Sequence, residues 1–272
     1  MKKYLLCFGL LCALVFPAES ADNFDKDQLV AWCIVPFDAK KRGPVERVQM
    51  LKRLGIKRVA YDWRAQHVKE FEEEILQYKK HGLEFFAFWS VHDEAFRLFE
   101  KYKLQPQIWR TLPSPKADTQ KARVEAAAKA MLPLVERTKK LGCKLGLYNH
   151  GGWGGEPANL VTVCKYLHKH HDAKHVGIVY NLHHGHGHIA DFKESLRVMQ
   201  PYLHCLNLNG MNEGAQPKIL SLGRGHHEAA MIATIRKSGY SGPIGILDHR
   251  NDTDTEIALR ENLEGLQNIL KK

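Results

Sequence analysis

The sequence contains no apolar run long enough to cross a bilayer, and its cysteines form no CxxC pair. The N-terminal apolar stretch, from Tyr4 to Phe16, is too short to span a membrane comfortably. Four cysteines follow it, at Cys33, Cys143, Cys164 and Cys205. Three of them lie in apolar runs typical of strands. We therefore expect buried thiols, although export would permit a disulfide.

A glycine-rich phosphate fingerprint is also missing after the first apolar run, which disfavours a dinucleotide-binding fold. The net charge is +10, but the basic residues lie mostly on predicted helix faces such as "KKRGPVERVQMLKR". No concentrated basic stripe with interleaved aromatic residues is present. We therefore expect no nucleic-acid partner.

The first 20 residues have the three parts of a secretory signal peptide. Two lysines precede the apolar stretch, and "AES" supplies small residues before Ala21. This pattern predicts a signal peptide over residues 1–20 and a single mature domain over residues 21–272. The mature protein would then be periplasmic or secreted, with no membrane attachment.

Short apolar runs alternate with amphipathic runs eight times in the mature chain. Predicted strands cover residues 29–37, 57–63, 83–90, 106–112, 143–150, 175–181, 205–211 and 243–249. Predicted helices cover residues 45–55, 67–82, 93–104, 118–142, 156–171, 189–203, 226–240 and 254–272, with a kink expected at Pro133. The strands are nearly continuous in apolar character, as in parallel sheets covered on both faces. Eight such units in about 250 residues predict an α/β fold, a single-domain (β/α)₈ TIM barrel.

In a (β/α)₈ barrel, functional residues lie at the carboxyl ends of the strands and in the loops that follow. Polar side chains cluster at these positions here, most densely in "NLHHGHGHIADF" (181–192). Amides and carboxylates can bond sugar hydroxyls, and an indole can pack on a sugar ring. The candidates for substrate binding are Trp89, Asn149, Asn181, Asn207, Asn209, Glu213 and His249. The asparagines could instead bond backbone groups at the strand ends.

Four stretches carry a family resemblance: "LYNHGG", "VGIVYNLHH", "LNLNGM" and "ILSLGRGHHEAAMIATIRKSGYSGPIGILDH". Their order resembles the xylose-isomerase-like barrel superfamily, which includes sugar isomerases, epimerases and AP-endonuclease relatives. The resemblance covers essentially the whole mature chain and implies a divergent, exported branch that acts on a small-molecule carbohydrate.

The resemblance also assigns positions to a divalent metal centre, and this sequence departs from them. Tyr148 falls where a glutamate is typical, Asn181 where an aspartate is typical, and Asn207 where a histidine is typical. Leu247 falls at the position of the last glutamate. Neutral side chains balance a divalent charge poorly, so we expect the usual centre to be lost or rebuilt. A rebuilt site for Zn, Mn, Co or Ni could draw on His150, His184, His186 and Asp248.

Taken together, these features predict a sugar isomerase, epimerase or keto-sugar lyase that abstracts a proton alpha to a carbonyl. The candidate catalytic groups are His150, His184, Asp248 and Asp62, because histidines and carboxylates can exchange protons near neutral pH. A non-catalytic carbohydrate-binding barrel is the alternative, motivated by the missing carboxylates. Abasic-site nuclease activity is a third hypothesis, which the missing carboxylates and the leader both oppose.

Overall fold

Eight parallel strands close into a barrel, and each is followed by an α-helix that packs on its outside. The computed structural model describes residues 22–247 and 249–271. The strands are Val30–Trp32 (β1), Arg58–Asp62 (β2), Glu84–Trp89 (β3), Gln107–Thr111 (β4), Leu145–Tyr148 (β5), Val176–Asn181 (β6), Leu203–Leu208 (β7) and Ile244–Leu247 (β8). The α-helices are Pro44–Leu54 (α1), Phe71–His81 (α2), Asp93–Tyr102 (α3), Gln120–Leu141 (α4), Pro157–His171 (α5), Phe192–Met199 (α6), Glu228–Lys237 (α7) and Thr255–Leu270 (α8). The predicted (β/α)₈ barrel is confirmed.

Backbone pairing between the first and last strands closes the barrel. Val30 aligns with Gly245, and Trp32 aligns with Leu247, in parallel register. The strands run in sequence order around the barrel, so all eight carboxyl ends meet at one mouth. Residues that are far apart in the sequence are therefore brought together there.

The element ends follow from local backbone chemistry. Helices α1, α2 and α4 end at Gly55, Gly82 and Gly142, each of which adopts the left-handed conformation that favours glycine. The structure assigns α4 as one helix across Pro133. Strand β1 is shorter than predicted, because Cys33 has a φ of 60° and turns the chain out of the sheet. The predicted helix over 67–82 is divided into a 3-10 turn, Ala65–Glu70, and α2.

The apolar core has two layers, one between the strands and the helices and one inside the barrel. The inner layer is built around large side chains, among them Trp32, Trp109 and Tyr148. Space for them comes from glycines at inward positions of the neighbouring strands. A Cβ added at Gly146 would collide with Val179, and one added at Gly245 would collide with Asn207. The floor of the barrel is therefore aromatic.

The structure tests the expectation of buried thiols and the search for membrane-spanning segments. Cys143, Cys164 and Cys205 are buried free thiols, as predicted, and Cys33 is also buried. Among the residues the structure describes, no helix combines the length and apolar character needed to cross a membrane. The predicted signal peptide lies outside the described residues.

Candidate functional site

Three tryptophans and a tyrosine line the carboxyl end of the barrel interior. The ring of Trp32 on β1 lies 4.9 Å from that of Trp109 on β4 and 5.9 Å from that of Trp89 on β3. Trp89 in turn contacts Tyr148 on β5, with ring centres 4.5 Å apart. All these contacts are edge-to-face, the favoured geometry for aromatic pairs.

Imidazole rings continue this series around the mouth. His184 lies 5.7 Å from Tyr148 and 4.5 Å from His150, between ring centres. His183 bridges His184 and His249, with ring centres 4.7 Å from each, and His249 Nδ1 lies 3.3 Å from His183 Nε2. The ring centre of His249 lies 4.1 Å from that of Phe37, which is the last ring of the series. We call this series the ring arc: Trp109, Trp32, Trp89, Tyr148, His150, His184, His183, His249 and Phe37.

The ring arc becomes more exposed from the barrel interior to the rim. Trp109 and Trp32 are buried, Trp89 and His184 are half-buried, and His150 is exposed. A ligand at the mouth would therefore meet aromatic faces below and imidazoles at the side. This combination suits a molecule with one apolar face and several hydroxyls.

Two buried asparagines brace the loops that carry the histidines. Asn149 bonds the backbone of Asn181 in both directions, accepting from its N–H at 2.7 Å and donating to its carbonyl at 3.0 Å. The Asn181 side chain donates to the Tyr148 hydroxyl at 2.7 Å and accepts from the His183 N–H at 3.0 Å. Both amides therefore position neighbouring groups, which is the alternative to substrate contact that the sequence left open.

The three remaining polar candidates of the β7 region have different environments. Asn207 is fully buried and faces inward, and its Nδ2 has no hydrogen-bond partner among the described residues. Asn209 Nδ2 donates to the carbonyls of Gly210 and Lys218, so it holds the loop after β7. Glu213 is highly exposed and lies 3.5 Å from His227. Of these three candidates, Asn207 is the one with a free donor inside the barrel.

Asp62 is a buried carboxyl group at the mouth. It ends β2 opposite Trp89 of β3, and its Oδ1 has no hydrogen-bond partner among the described residues. Burial raises the pKa of Asp62 to about 7, an effect that nearby Arg64 partly opposes. Near neutral pH this carboxyl group can therefore either accept or donate a proton.

Three histidines of the ring arc remain neutral near neutral pH. Burial and the neighbouring imidazoles lower the pKa of His184 to about 2 and that of His183 to about 3. Burial and then the charge of Arg64 lower the pKa of His249 to about 4. A neutral imidazole has one donor and one acceptor nitrogen, so it can bond a hydroxyl or a carbonyl oxygen.

The sequence model of the xylose isomerase-like TIM barrel matches residues 64–269, which is more than half of the chain. This chain belongs to the xylose isomerase-like TIM barrel family.

Solved structures that share the xylose isomerase-like fold include two sugar epimerases and a probable dehydratase. One is 3-keto-D-glucoside 4-epimerase, YcjR, from E. coli (12% identity, TM-score 0.63, covering 91% of this chain and 100% of that chain). Another is the probable 3-DHS dehydratase AsbF from Bacillus anthracis (13% identity, TM-score 0.66, covering 88% of this chain and 98% of that chain). A third is D-psicose 3-epimerase from Clostridium cellulolyticum (10% identity, TM-score 0.61, covering 89% of this chain and 96% of that chain). None of the curated proteins compared with the chain matches it significantly.

The metal centre of the xylose isomerase-like family does not fit the donor groups described here. Tyr148, Asn181 and Asn207 are neutral, and Asn181 already uses its amide on the Tyr148 hydroxyl and the His183 N–H. Within residues 22–247 and 249–271, no group of three or more His, Cys, Asp or Glu side chains could hold a metal ion. His186 Nδ1 lies 3.2 Å from the His183 carbonyl oxygen. Asp248, the remaining candidate ligand, lies outside the described residues.

Several site residues of this xylose isomerase-like barrel escaped the sequence analysis. Alternation along a strand shows that Trp32 and Trp109 are buried, but it does not show that they face the interior of the barrel. Arg64 lies two positions after Asp62, at the end of the same predicted strand, but its charge alone did not distinguish it from a solvated surface residue. Lys218 lies in a loop with no recognisable motif, so its place near the histidines emerges only from the fold.

Proposed function

We propose that this barrel is an epimerase, isomerase or lyase that moves a proton alpha to the carbonyl of a sugar. One observation carries the proposal: the mouth combines neutral imidazoles with a carboxyl group, Asp62, whose pKa is near 7. Groups whose pKa values are pushed apart in one site are typical of acid–base catalysis. The epimerases and the dehydratase that share the fold support the same class of reaction.

The substrate ring would pack against the exposed edge of the ring arc. Trp89 is half-buried and contacts both Tyr148 and His150, so it offers an aromatic surface beside an imidazole. Stacking there would place the hydroxyl groups of the sugar towards His150 and His184.

The chemistry begins when a base removes the proton from the carbon next to the carbonyl. His150 is suited to this role because it is exposed at the rim and touches Trp89 and His184. The negative charge that develops on the carbonyl oxygen needs hydrogen-bond donors. Neutral His184 and the unpartnered amide of Asn207 supply N–H groups of this kind.

Asp62 completes the reaction by returning or delivering a proton. Protonation of the enediolate carbon on its opposite face gives the epimer. Protonation of a departing β-hydroxyl, which leaves with its bonding electrons, gives the elimination product. Epimerisation and elimination therefore both begin with proton removal by His150, and both use the N–H donors of His184 and Asn207.

Deuterium exchange tests this proposal. The purified protein is incubated in deuterated water with aldoses, ketoses and 3-keto-glucosides, with and without Zn, Mn, Co or Ni. We expect deuterium to enter at the carbon next to the carbonyl. The His150→Gln variant should be about 10²- to 10⁴-fold slower. His170→Gln, at an exposed helix position, is the matched control. Absence of exchange with every sugar and every metal would refute the enzyme proposal.

A carbohydrate-binding barrel without catalysis is the second candidate. It is favoured by the neutral residues Tyr148, Asn181 and Asn207 at the positions that the resemblance assigns to metal ligands. This alternative predicts saturable sugar binding, measured by calorimetry, without exchange under any of the conditions above.

We also propose that the chain is exported, because residues 1–20 have the composition of a signal peptide. The mature protein isolated from its native host should begin near Ala21, as determined by N-terminal sequencing. Recovery of the cytoplasmic chain with its first 20 residues intact would refute export.

A further inference from the structure

We propose that the sugar carries a negatively charged substituent and that Arg64 and Lys218 bind this group at the rim of the barrel. The inference rests on the function proposed above and narrows its substrate class. Neither residue donates or accepts a proton in the acid–base chemistry described so far.

Lys218 is brought to the mouth by a buried anchor. Asn209 is 3% exposed, and its Nδ2 donates to the Lys218 carbonyl at 3.0 Å. This bond fixes the loop after β7, while the Lys218 side chain remains exposed. The charge of Lys218 contributes to lowering the pKa values of His183, His184 and His249. The loop anchored by Asn209 therefore carries Lys218 on the side of the mouth where the histidines lie.

Arg64 lies on the loop after β2, on the other side of His249 from the Lys218 loop. Its guanidinium carbon lies 5.4 Å from the centre of the Phe37 ring, within cation–π range. Its NH1 donates to the Trp63 carbonyl at 2.8 Å, which further limits its position. Phe37 contacts His249, so Arg64 lies close to the end of the ring arc.

His249 marks the point between the two cations. Arg64 and Lys218 are the first and second charges that lower its pKa, after burial. The loops that carry them follow β2 and β7, which flank the β1–β8 pair. An anionic group bound there would lie above Phe37 and His249, and the sugar ring would extend towards Trp89 and His150.

The charges of the described residues at the rim favour an anion. Among the described residues, neither Arg64 nor Lys218 lies within 4 Å of a carboxylate. Glu213 of the same loop is directed to His227. Asp62 is buried, and its raised pKa reduces its negative charge near neutral pH. A mouth of this kind attracts negatively charged ligands and orients them as they enter.

Binding measurements with matched acidic and neutral sugars test the inference. D-Glucuronate, D-galacturonate and D-glucose 6-phosphate are titrated by calorimetry alongside D-glucose and D-galactose, at low and high salt. We expect the anionic sugars to bind at least about tenfold more tightly than the neutral ones, with a preference that weakens as salt increases. The uronates and the phosphate ester show whether the preferred anion is a carboxylate or a phosphate.

Charge-removing variants identify the residues responsible. Lys218→Gln and Arg64→Gln should each reduce the ratio of anionic to neutral affinity about fivefold to tenfold. Lys218→Arg should retain most of it. Lys129→Gln, on an exposed face of α4, is the matched control and should leave the ratio unchanged.

Two results would overturn the inference in distinguishable ways. If neutral sugars bind and exchange deuterium as well as anionic ones, or if both Gln variants keep the anion preference, the inference fails and the proposed function stands. If no sugar binds or exchanges, the inference and the proposed function fail together.

Discussion

Asp62 and Glu74 are both buried carboxyl groups, but their surroundings differ. Glu74 is contacted by the guanidinium of Arg47 in a buried ion pair. Asp62 has no cation within ion-pair distance among the described residues, and its Oδ1 has no partner. A buried carboxyl group without an ion-pair partner is costly to a folded protein. Its presence at the mouth therefore suggests selection for chemistry rather than for stability.

Replacing Asp62 with Asn should lower the exchange rate and change how stability depends on pH. In the folded state the pKa of Asp62 is about 7, against about 3.9 for an unfolded chain. Between these values the folded state holds the extra proton, so the contribution of Asp62 to stability decreases as pH rises. We expect Asp62→Asn to be more stable than the native protein above pH 7, by about 1–3 kcal/mol, and as stable or less so near pH 4.

Urea unfolding at pH 4, 6 and 8 would measure this difference. Asp118→Asn is the control, because Asp118 is exposed. If Asp62→Asn were destabilised equally at every pH, the carboxylate would have a structural role, and the acid–base assignment would be wrong.

At the scale of the elements, the sequence identified all eight strand–helix units. Continuous apolar runs and helical periodicity record burial on both sides of a strand and on one side of a helix. The ends were less predictable, since they depend on single backbone conformations. β1 ends at Trp32 because Cys33 has a positive φ, which neither its residue type nor its apolar neighbours indicate.

A buried ion pair between Arg47 and Glu74 connects helices α1 and α2. Its contribution to the free energy of unfolding can be predicted. Glu74→Ala should destabilise the protein by about 3–5 kcal/mol, because Arg47 would remain buried without a counter-charge. The double variant Arg47→Met, Glu74→Leu should recover most of this loss, since it leaves no buried charge.

The comparison is made from the free energies of unfolding in urea. The exposed pair Arg197–Glu194 on α6 is the control, and Glu194→Ala should change stability by less than about 1 kcal/mol. A double variant as unstable as Glu74→Ala would show that the helices need the ion pair itself.

At the scale of the whole molecule, histidines that are buried or half-buried should make the barrel sensitive to acid. The pKa of His184 is lowered to about 2, that of His183 to about 3, and those of His204 and His249 to about 4, mainly by burial. In an unfolded chain histidine takes up a proton near pH 6.5. The stability that these groups contribute is complete above pH 6.5 and is lost progressively as pH falls, because the unfolded state binds more protons.

His204 allows a test that leaves the mouth untouched, because it lies near the amino end of β7, beside Gly177 of β6. The slope of unfolding free energy against pH between 6.5 and 4 gives the number of extra protons that the unfolded state binds. This number should be smaller by about one in His204→Gln. His170→Gln, at an exposed position, should keep the native slope. Equal slopes in all three proteins would refute the account of acid sensitivity.

The candidate site could be predicted from the sequence only in part. The rule that strand ends meet at one mouth correctly grouped His150, His184, Trp89 and His249, because closure of the barrel is itself predictable. The roles of Asn149 and Asn209 were not predictable, since a side chain that bonds backbone and one that bonds a ligand have the same residue type. Lys218 depends on the path of a long loop, which no periodicity encodes.

The packing of Trp32, Trp89 and Trp109 gives the barrel an intrinsic optical reporter. Three of its five indoles lie within the ring arc, and Trp89 is beside the imidazole of His150. Emission from such a group shifts when water or a proton leaves its surroundings. Occupancy of the barrel mouth could thus be followed in solution by fluorescence, without any label or coupled assay.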